Sequence, residues 1–513
     1  MKPSNLLFDI IKSLSAEEIR YFKKISSLQQ GEKNYIKLFN FIATLEEYDE
    51  DAVKIAFKNE TFIKHLPSEK NQLLHHILKS LRHFRIENSK TAAINEQIKN
   101  IQLLFNKSLY KQSRKVLNQI KEEAYKYELF YYILEIIDLE KVVIDMEAHF
   151  GQVTNVTIEK LIEEENEIYQ KIEQLTHFEK LLSQLNKLST KLLFVRSKAD
   201  SDEIEKIAKD DILNDSVKIN SKKAFITSLH VKGLAARALN KNDEMFDSFQ
   251  SLVFTMENNP SLISELPKSY IVAHGYIIRH YAIKRRYNDG FKTIDKLKAL
   301  WLNPEFKSTD LQIAIFSNSY INEMLLYAYI GQHDKAKKVI PEVIKGLEKY
   351  ESKINEEELL RIYQIITMVY FGVGEYSKAL HWVNRIINSN YAELRQDIIR
   401  ISKLINLIIH FELGNDDLLP YIYKSTNRFV EGLENKYQFE ILFLEHFKKV
   451  ALSKRDGKQL NSFIKFKEEM QNVFKDPYER NTLEYFNFYA WLDSKIHNIT
   501  FSDAIKIRKQ NMA

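Results

Sequence analysis

Arg279-His280 and, four residues on, Lys284-Arg285-Arg286 make the densest basic cluster in the chain. Guanidinium groups pair bidentately with carboxylates and phosphates, so such a cluster suits an anion. It also stands where a helix is expected to end, and cations there complement the helix dipole. Other chemically capable residues are sparser. His75, His76 and His83 share one helical segment, where about 100° per residue puts only His76 and His83 on one face. With no acidic partner nearby in sequence they make a poor metal site. Glu163-Glu164-Glu165 and Glu167 read as a solvated helix face and not as an acid catalyst. Gly372-Val-Gly374 begins like a dinucleotide fingerprint, but Ser377 replaces the third glycine and the run follows a helix, not a strand. Phosphate loops, His-Glu-x-x-His and nucleophile elbows do not occur. The expectation is therefore a protein without catalytic residues, metal or cofactor.

The elements that must position these residues are helices. Twelve glycines in 513 residues is far below the usual share of about 7%, and only eight prolines interrupt the chain. So few breakers suit long helices joined by short turns. Apolar residues recur at helical spacing, and strict alternation is nearly absent. With no cysteine, disulfides and thiolate chemistry drop out. The opening MKPSNLLFDIIKSLSAEE carries no apolar core of signal-peptide length, and no run approaches the roughly 18 apolar residues of a membrane span. A cytoplasmic protein without membrane contact is expected. A net charge of +5 over this length is too weak and too dispersed for a nucleic-acid binder, whose basic residues usually form a stripe.

Five segments carry one pattern. A residue at Ala236, Tyr281, Tyr327, Tyr370 or His410 precedes by four a turn residue at Asn240, Arg285, Gly331, Gly374 or Gly414. Five past the turn come Met245, Gly290, Ala336, Ala379 and Leu419, then Phe249, Ile294, Ile340, Val383 and Tyr423 four further on. The turns are 45, 46, 43 and 40 residues apart. The pattern predicts a first helix stopped by a left-handed residue, then a second helix whose small residue allows close approach and whose larger one fills the groove. Leu104, Ser108, Ser113, Leu117 and Ile120 follow a looser version. Ser15 to Glu18 reads as a capping box, Pro67-Ser68-Glu69 and Asp476-Pro477 as helix starts, and Thr500 to Asp503 as the opening of the last helix. The polar stretch 200–215 is the best linker candidate. Four regions are expected: a helical cap over 1–90, a long-helix region over 91–220, repeats over 221–435 and a helical cap over 436–513.

Tyr327, Gly331, Ala336, Tyr370, Gly374 and Ala379, with Gly233 at the small position of a first helix, resemble the tetratricopeptide repeat family over roughly 221–435. The period here is longer than the family's 34 residues. Leu229, His274, Tyr320, Tyr363 and Lys403 stand where the family has Trp, and the closing Pro is missing. The resemblance implies an all-α, right-handed α-solenoid of antiparallel helix pairs whose first helices line a concave face. It further implies ligand contacts at His230, Arg237, Arg279, Asn318, Asn322, Arg361 and Gln364, ending on the apolar Ile401, Leu404, Ile405, Ile408 and Phe411. Such a groove fits a protein or peptide bearing a carboxylate or acidic side chain. The expected function is a non-catalytic scaffold. The alternative is a ligand- or peptide-sensing transcriptional regulator, its repeats the sensor and its residues 30–65 a helical DNA-binding element with Lys54, Lys58 and Lys64 toward phosphates, although the acidic run from Glu46 to Asp51 opposes it.

Overall fold

The computed structural model describes residues 5–27, 34–86, 89–149, 157–189, 195, 197–215, 218–389, 395–452 and 458–511. Among them there are helices and no strands. Two compact units divide the chain at Ile168 and Tyr169. The first unit holds α1 (Leu6–Ser13), α2 (Ala16–Ser27), α3 (Asn34–Thr44), α4 (Glu50–Ala56), α5 (Leu66–Ile86), α6 (Lys90–Asn106), α7 (Tyr110–Lys126) and α8 (Phe130–His149). The unit boundary falls within α9 (Ile158–Ser189). The second unit continues with α10 (Lys198–Ala208), α11 (Asp211–Asn214), α12 (Lys222–Ala238), α13 (Asn242–Glu257), α14 (Pro260–Glu265), α15 (Pro267–Ile283), α16 (Tyr287–Ala299), α17 (Thr309–Phe316), α18 (Asn322–Ile330) and α19 (His333–Tyr350). It ends with α20 (Glu356–Gly372), α21 (Tyr376–Ile387), α22 (Gln396–Glu412), α23 (Leu419–Glu431), α24 (Gln438–Leu452), α25 (Lys458–Val473), α26 (Pro477–Arg480), α27 (Phe488–His497) and α28 (Phe501–Asn511).

In the first unit the capping box forms as read. Ser15 N–H donates to Glu18 Oε2 at 2.8 Å and Glu18 N–H to Ser15 Oγ at 3.2 Å. Leu38, Ile42, Val53, Leu73 and Ile77 are fully buried among α3, α4 and α5. The carboxylates at 164 and 165 do more than face water. Glu164 accepts from Lys121 at 2.8 Å and from Tyr125 at 2.5 Å, while Glu165 pairs with Lys141 at 2.8 Å. They tie α9 to α7 and α8, so these two are structural, while Glu163 and Glu167 are exposed.

Five helices of the second unit end in the same way. Asn240, Arg285, Gly331, Gly374 and Gly414 have φ of 61°, 60°, 81°, 77° and 72°. The next residue then donates its N–H five positions back: Lys241 to Ala236, Arg286 to Tyr281, Gln332 to Tyr327, Glu375 to Tyr370 and Asn415 to His410. This 6→1 bond satisfies a carbonyl that the helix end would otherwise orphan. Past the turn Met245, Gly290, Ala336, Ala379 and Leu419 are buried, and so are Phe249, Ile294, Ile340 and Val383. Tyr423 is half-buried. Close approach needs the small residues. A Cβ on Gly233 would stand 2.6 Å from the Phe249 ring. Ser108 and Glu128 repeat the turn in the first unit at φ 59° and 49°, with Ser113, Leu117, Ile133 and Ile137 buried behind them.

Most long helices of the second unit pack on a chain neighbour, as α12 does on α13 and α20 on α21. In addition α15, α18, α20 and α22 touch in series. Residues 200–215 form α10 and α11, and α10 packs on α12. The C-terminal stretch is buried against this series. Tyr485, Phe486, Phe488 and Trp491 are at most 2% exposed. Phe486 and Phe501 meet Phe371 of α20 at 5.2 and 5.1 Å, and Trp491 meets Phe411 of α22 at 6.5 Å. At about 1.5–3 kcal/mol for each fully buried large apolar side chain, this stretch belongs to the core of the unit.

Gly374 isolates the turn from packing, because an added Cβ would meet nothing within 4 Å. Gly374→Ala is expected to cost about 1–2 kcal/mol in urea unfolding through the left-handed backbone alone. Gly374→Asn should cost less than half as much, because Asn tolerates that conformation. Equal losses for the two variants contradict the turn assignment.

Candidate functional site

The residues singled out in the sequence fall into three groups. Some are spent on the fold itself. Thr309 to Ile330 is one helical stretch interrupted by a π-helical turn over Ser317–Ile321. Asn318 Nδ2 donates to Ala314 O at 2.9 Å and Asn322 Nδ2 to Asn318 O at 2.7 Å. A π turn loosens the regular ladder, and these amides take up its carbonyls. Gly275 gives Asn318 room, since a Cβ there would lie 2.5 Å from Asn318 Oδ1. His230 is half-buried, with its ring 5.7 Å from Phe249 in an edge-to-face contact. Burial pulls its pKa down to about 4, so it is neutral at pH 7 and offers no cation.

A second group meets the C-terminal stretch. Arg279 Nη2 donates to Glu484 Oε2 at 2.9 Å, and Gln364 Nε2 to Tyr485 O at 3.4 Å. The apolar end behaves alike. Ile401, Leu404, Ile405, Ile408 and Phe411 are buried in the core that Trp491 and Phe463 complete. Much of the face drawn from the repeat pattern is thus covered by the chain's own residues 481–491.

Arg237 and Arg361 form the third group, and the fold brings them together. They line one cavity of about 200 Å³ with Tyr276, Asn355, Glu357, Glu358 and Arg395. Arg237, in the last turn of α12, lies over the Tyr276 ring at 5.2 Å and reaches its hydroxyl at 3.4 Å. Asn355 caps α20 by accepting from Glu358 N–H at 2.9 Å, which starts the helix that carries Arg361. Arg395 is 1% exposed and fully answered: Asp397 accepts two bonds at 2.8 Å, and Glu357 accepts one at 3.0 Å. Tyr485 donates to the same Asp397 at 2.5 Å.

Arg361 differs from its neighbours. It is half-buried, and no described residue gives it an ion pair or a hydrogen bond. Burial and then the like charge of Arg237 pull its pKa down to about 10, which still leaves it cationic at neutral pH. Removing a guanidinium from water beside another one is unfavourable. An anion in the cavity offsets that cost. Beside Glu358 and the Arg395–Glu357 pair, the arrangement sets two guanidinium groups, a tyrosine hydroxyl and an amide, which are donors suited to a carboxylate. Among the described residues no three His, Asp or Glu side chains cluster to hold a metal.

Sequence reasoning missed Arg395, Glu357 and Tyr276. Asn355 and Glu358 had a signal, an Asn followed three residues later by Glu ahead of an apolar run. Arg395 had none, since only the fold sets it beside Glu357. A wider groove of about 1000 Å³ lies along α23 and α24, but its basic side chains Lys436, Lys448 and Lys449 are exposed and alternate with Glu431 and Glu445. In the first unit Lys54 pairs with Glu50 and Asp51 at 3.3 Å each, so that cation is answered within its own helix. Residues 30–33 of the DNA-binding alternative lie outside the described residues, while Lys58 and Lys64 are exposed.

The cavity predicts a sign. Arg361→Gln, which removes an unanswered charge, should stabilise the ligand-free protein by about 0.5–2 kcal/mol, as relief of functional sites commonly does. A lower melting temperature for this variant indicates that Arg361 serves the fold instead. Comparison with protein-family models, curated proteins and solved structures found no match.

Proposed function

We propose that the chain is a non-catalytic binding protein that captures a protein or peptide segment by a carboxylate held between Arg237 and Arg361. In this reading the second unit is a right-handed α-solenoid of antiparallel, tetratricopeptide-like pairs. The common turn at Asn240, Arg285, Gly331, Gly374 and Gly414 supports it, as does the serial contact of α15, α18, α20 and α22. The reading keeps the protein in the cytoplasm, in line with the lack of any described helix long and apolar enough to cross a membrane.

The observation that carries the proposal is Arg361, a half-buried cation at the wall of a cavity, which no described residue pairs or hydrogen-bonds, with Glu358 and Tyr276 attracting it only at longer range. The cavity, at about 200 Å³, is small and suits one acidic side chain or a chain end. The remainder of the bound segment lies outside it, because residues 481–491 already occupy much of the neighbouring face. A cavity of this size favours a single anchoring anion over an extended strand.

Affinity capture from native cytosol, with wild type and with Arg237→Gln/Arg361→Gln, tests the reading. The double variant should lose the wild-type partner while keeping its helicity and melting no lower. The captured segment, resynthesised with its carboxylates as amides, should bind at least about ten-fold more weakly, the scale of one charge-assisted hydrogen bond. Retention of the same partner by the double variant contradicts the assignment.

A further inference from the structure

Glu358 stands three residues before Arg361 on α20, so the two share a face of the helix, and both line the cavity of about 200 Å³. Its backbone N–H donates to Asn355 Oδ1 at 2.9 Å. Its carboxylate, half-buried, receives no ion pair or hydrogen bond from any described residue. Glu356, Glu357 and Glu358 fill the first turn of α20, where the helix dipole favours acids. That accounts for acids in the turn, but two of the three also line the cavity and enter its charge balance. Glu357 accepts from Arg395, and Arg395 is bonded twice more by Asp397. That cluster holds two carboxylates against one guanidinium, so it lends no positive charge to an incoming anion. The other charged groups of the wall are Arg237 and Arg361 against Glu358, which leaves a surplus of one positive charge. Tyr276 and Asn355 add neutral donors.

We propose that Glu358 sets the charge of the ligand: the cavity takes a singly charged carboxylate and rejects a doubly charged phosphate, so that a phosphorylated segment is excluded. The inference rests on the carboxylate reading of the Arg237–Arg361 site and narrows it. Guanidinium groups by themselves take phosphate as readily as carboxylate, so the two arginines cannot make the distinction. A carboxylate brings one charge, which answers the surplus. A phosphate brings a second charge into a small, partly desolvated space, where the group left unanswered at the wall is an acid. Setting like charge against a near relative of the ligand is how a site excludes it. Glu358 thereby weakens binding of every anion, and of the dianion most.

Labelling of the full-length protein with phenylglyoxal, an arginine reagent, tests it, with the rate at Arg361 read by mass spectrometry. The probes are acetate and inorganic phosphate at fixed ionic strength and pH 8, where phosphate is mostly doubly charged. The exposed Arg82, read in the same samples, gives the rate without a cavity. Acetate should slow labelling of Arg361 at a concentration at least about ten-fold below that at which phosphate does, a selectivity opposite to what a second charge would confer on arginines alone. Glu358→Gln keeps the size of the side chain and the N–H that Asn355 caps, and phosphate should then protect at least as well as acetate. The inference alone is overturned if acetate protects Arg361 but phosphate does so at a lower concentration, or if Glu358→Gln leaves their ratio unchanged. If neither anion protects Arg361 in the wild type, the carboxylate reading itself falls and takes this inference with it.

Discussion

A left-handed residue closing each first helix is the constraint on which the second unit depends. It stops the helix in one step and lets the following N–H return to a helix carbonyl. The register of the second helix then follows. The fifth residue past the turn reaches the contact with the first helix, and only a residue that fits can stand there. Where the residue is Gly290, Ala336 or Ala379 the helices close up, and where it is Met245 or Leu419 the larger side chain is itself fully buried. Glycine serves this turn at three positions. Asn240 and Arg285 serve it at two others, where packing and the 6→1 bond hold a conformation that a side chain disfavours.

The helices so arranged present a face, and the chain covers much of it. Tyr485, Phe486, Phe488 and Trp491 pack on α20 and α22. Arg279 spends its charge on Glu484, and Gln364 on a backbone carbonyl. A buried Arg395 with Asp397 and Tyr485 fixes this covering in register. What remains open is small and polar. There the fold leaves Arg361 beside Arg237 with Glu358 near but no ion pair or hydrogen bond from a described residue. A fold that pairs Arg395 with two carboxylates, and Arg400 bidentately with the buried Glu440, leaves Arg361 unpaired at a cavity wall. That contrast makes the position more informative than an exposed arginine elsewhere.

Helical content, the turns and the residues behind them were legible because each is local. A turn needs one permissive residue and a fixed count to the next apolar position, and Ser15 with Glu18 needs three residues. The arginine pair was legible in part. The repeat pattern puts Arg237 near the end of one first helix and Arg361 near the start of another, and the cavity joins them. Arg279, Asn318, Asn322 and Gln364 share the same periodicity, yet each is engaged by Glu484, by a π turn or by Tyr485. No count along the sequence reveals that engagement. It depends on where residues more than a hundred positions away return, and on a π turn that periodicity does not register.

The most direct test of the account is the structure of the full-length chain with its captured segment bound. The account predicts a carboxylate within hydrogen-bond distance of the Arg361 guanidinium, inside the cavity that Arg237 and Tyr276 line, with residues 481–491 still in place. A segment bound along α23 and α24, or one that displaces residues 481–491 and leaves Arg361 facing solvent, contradicts it.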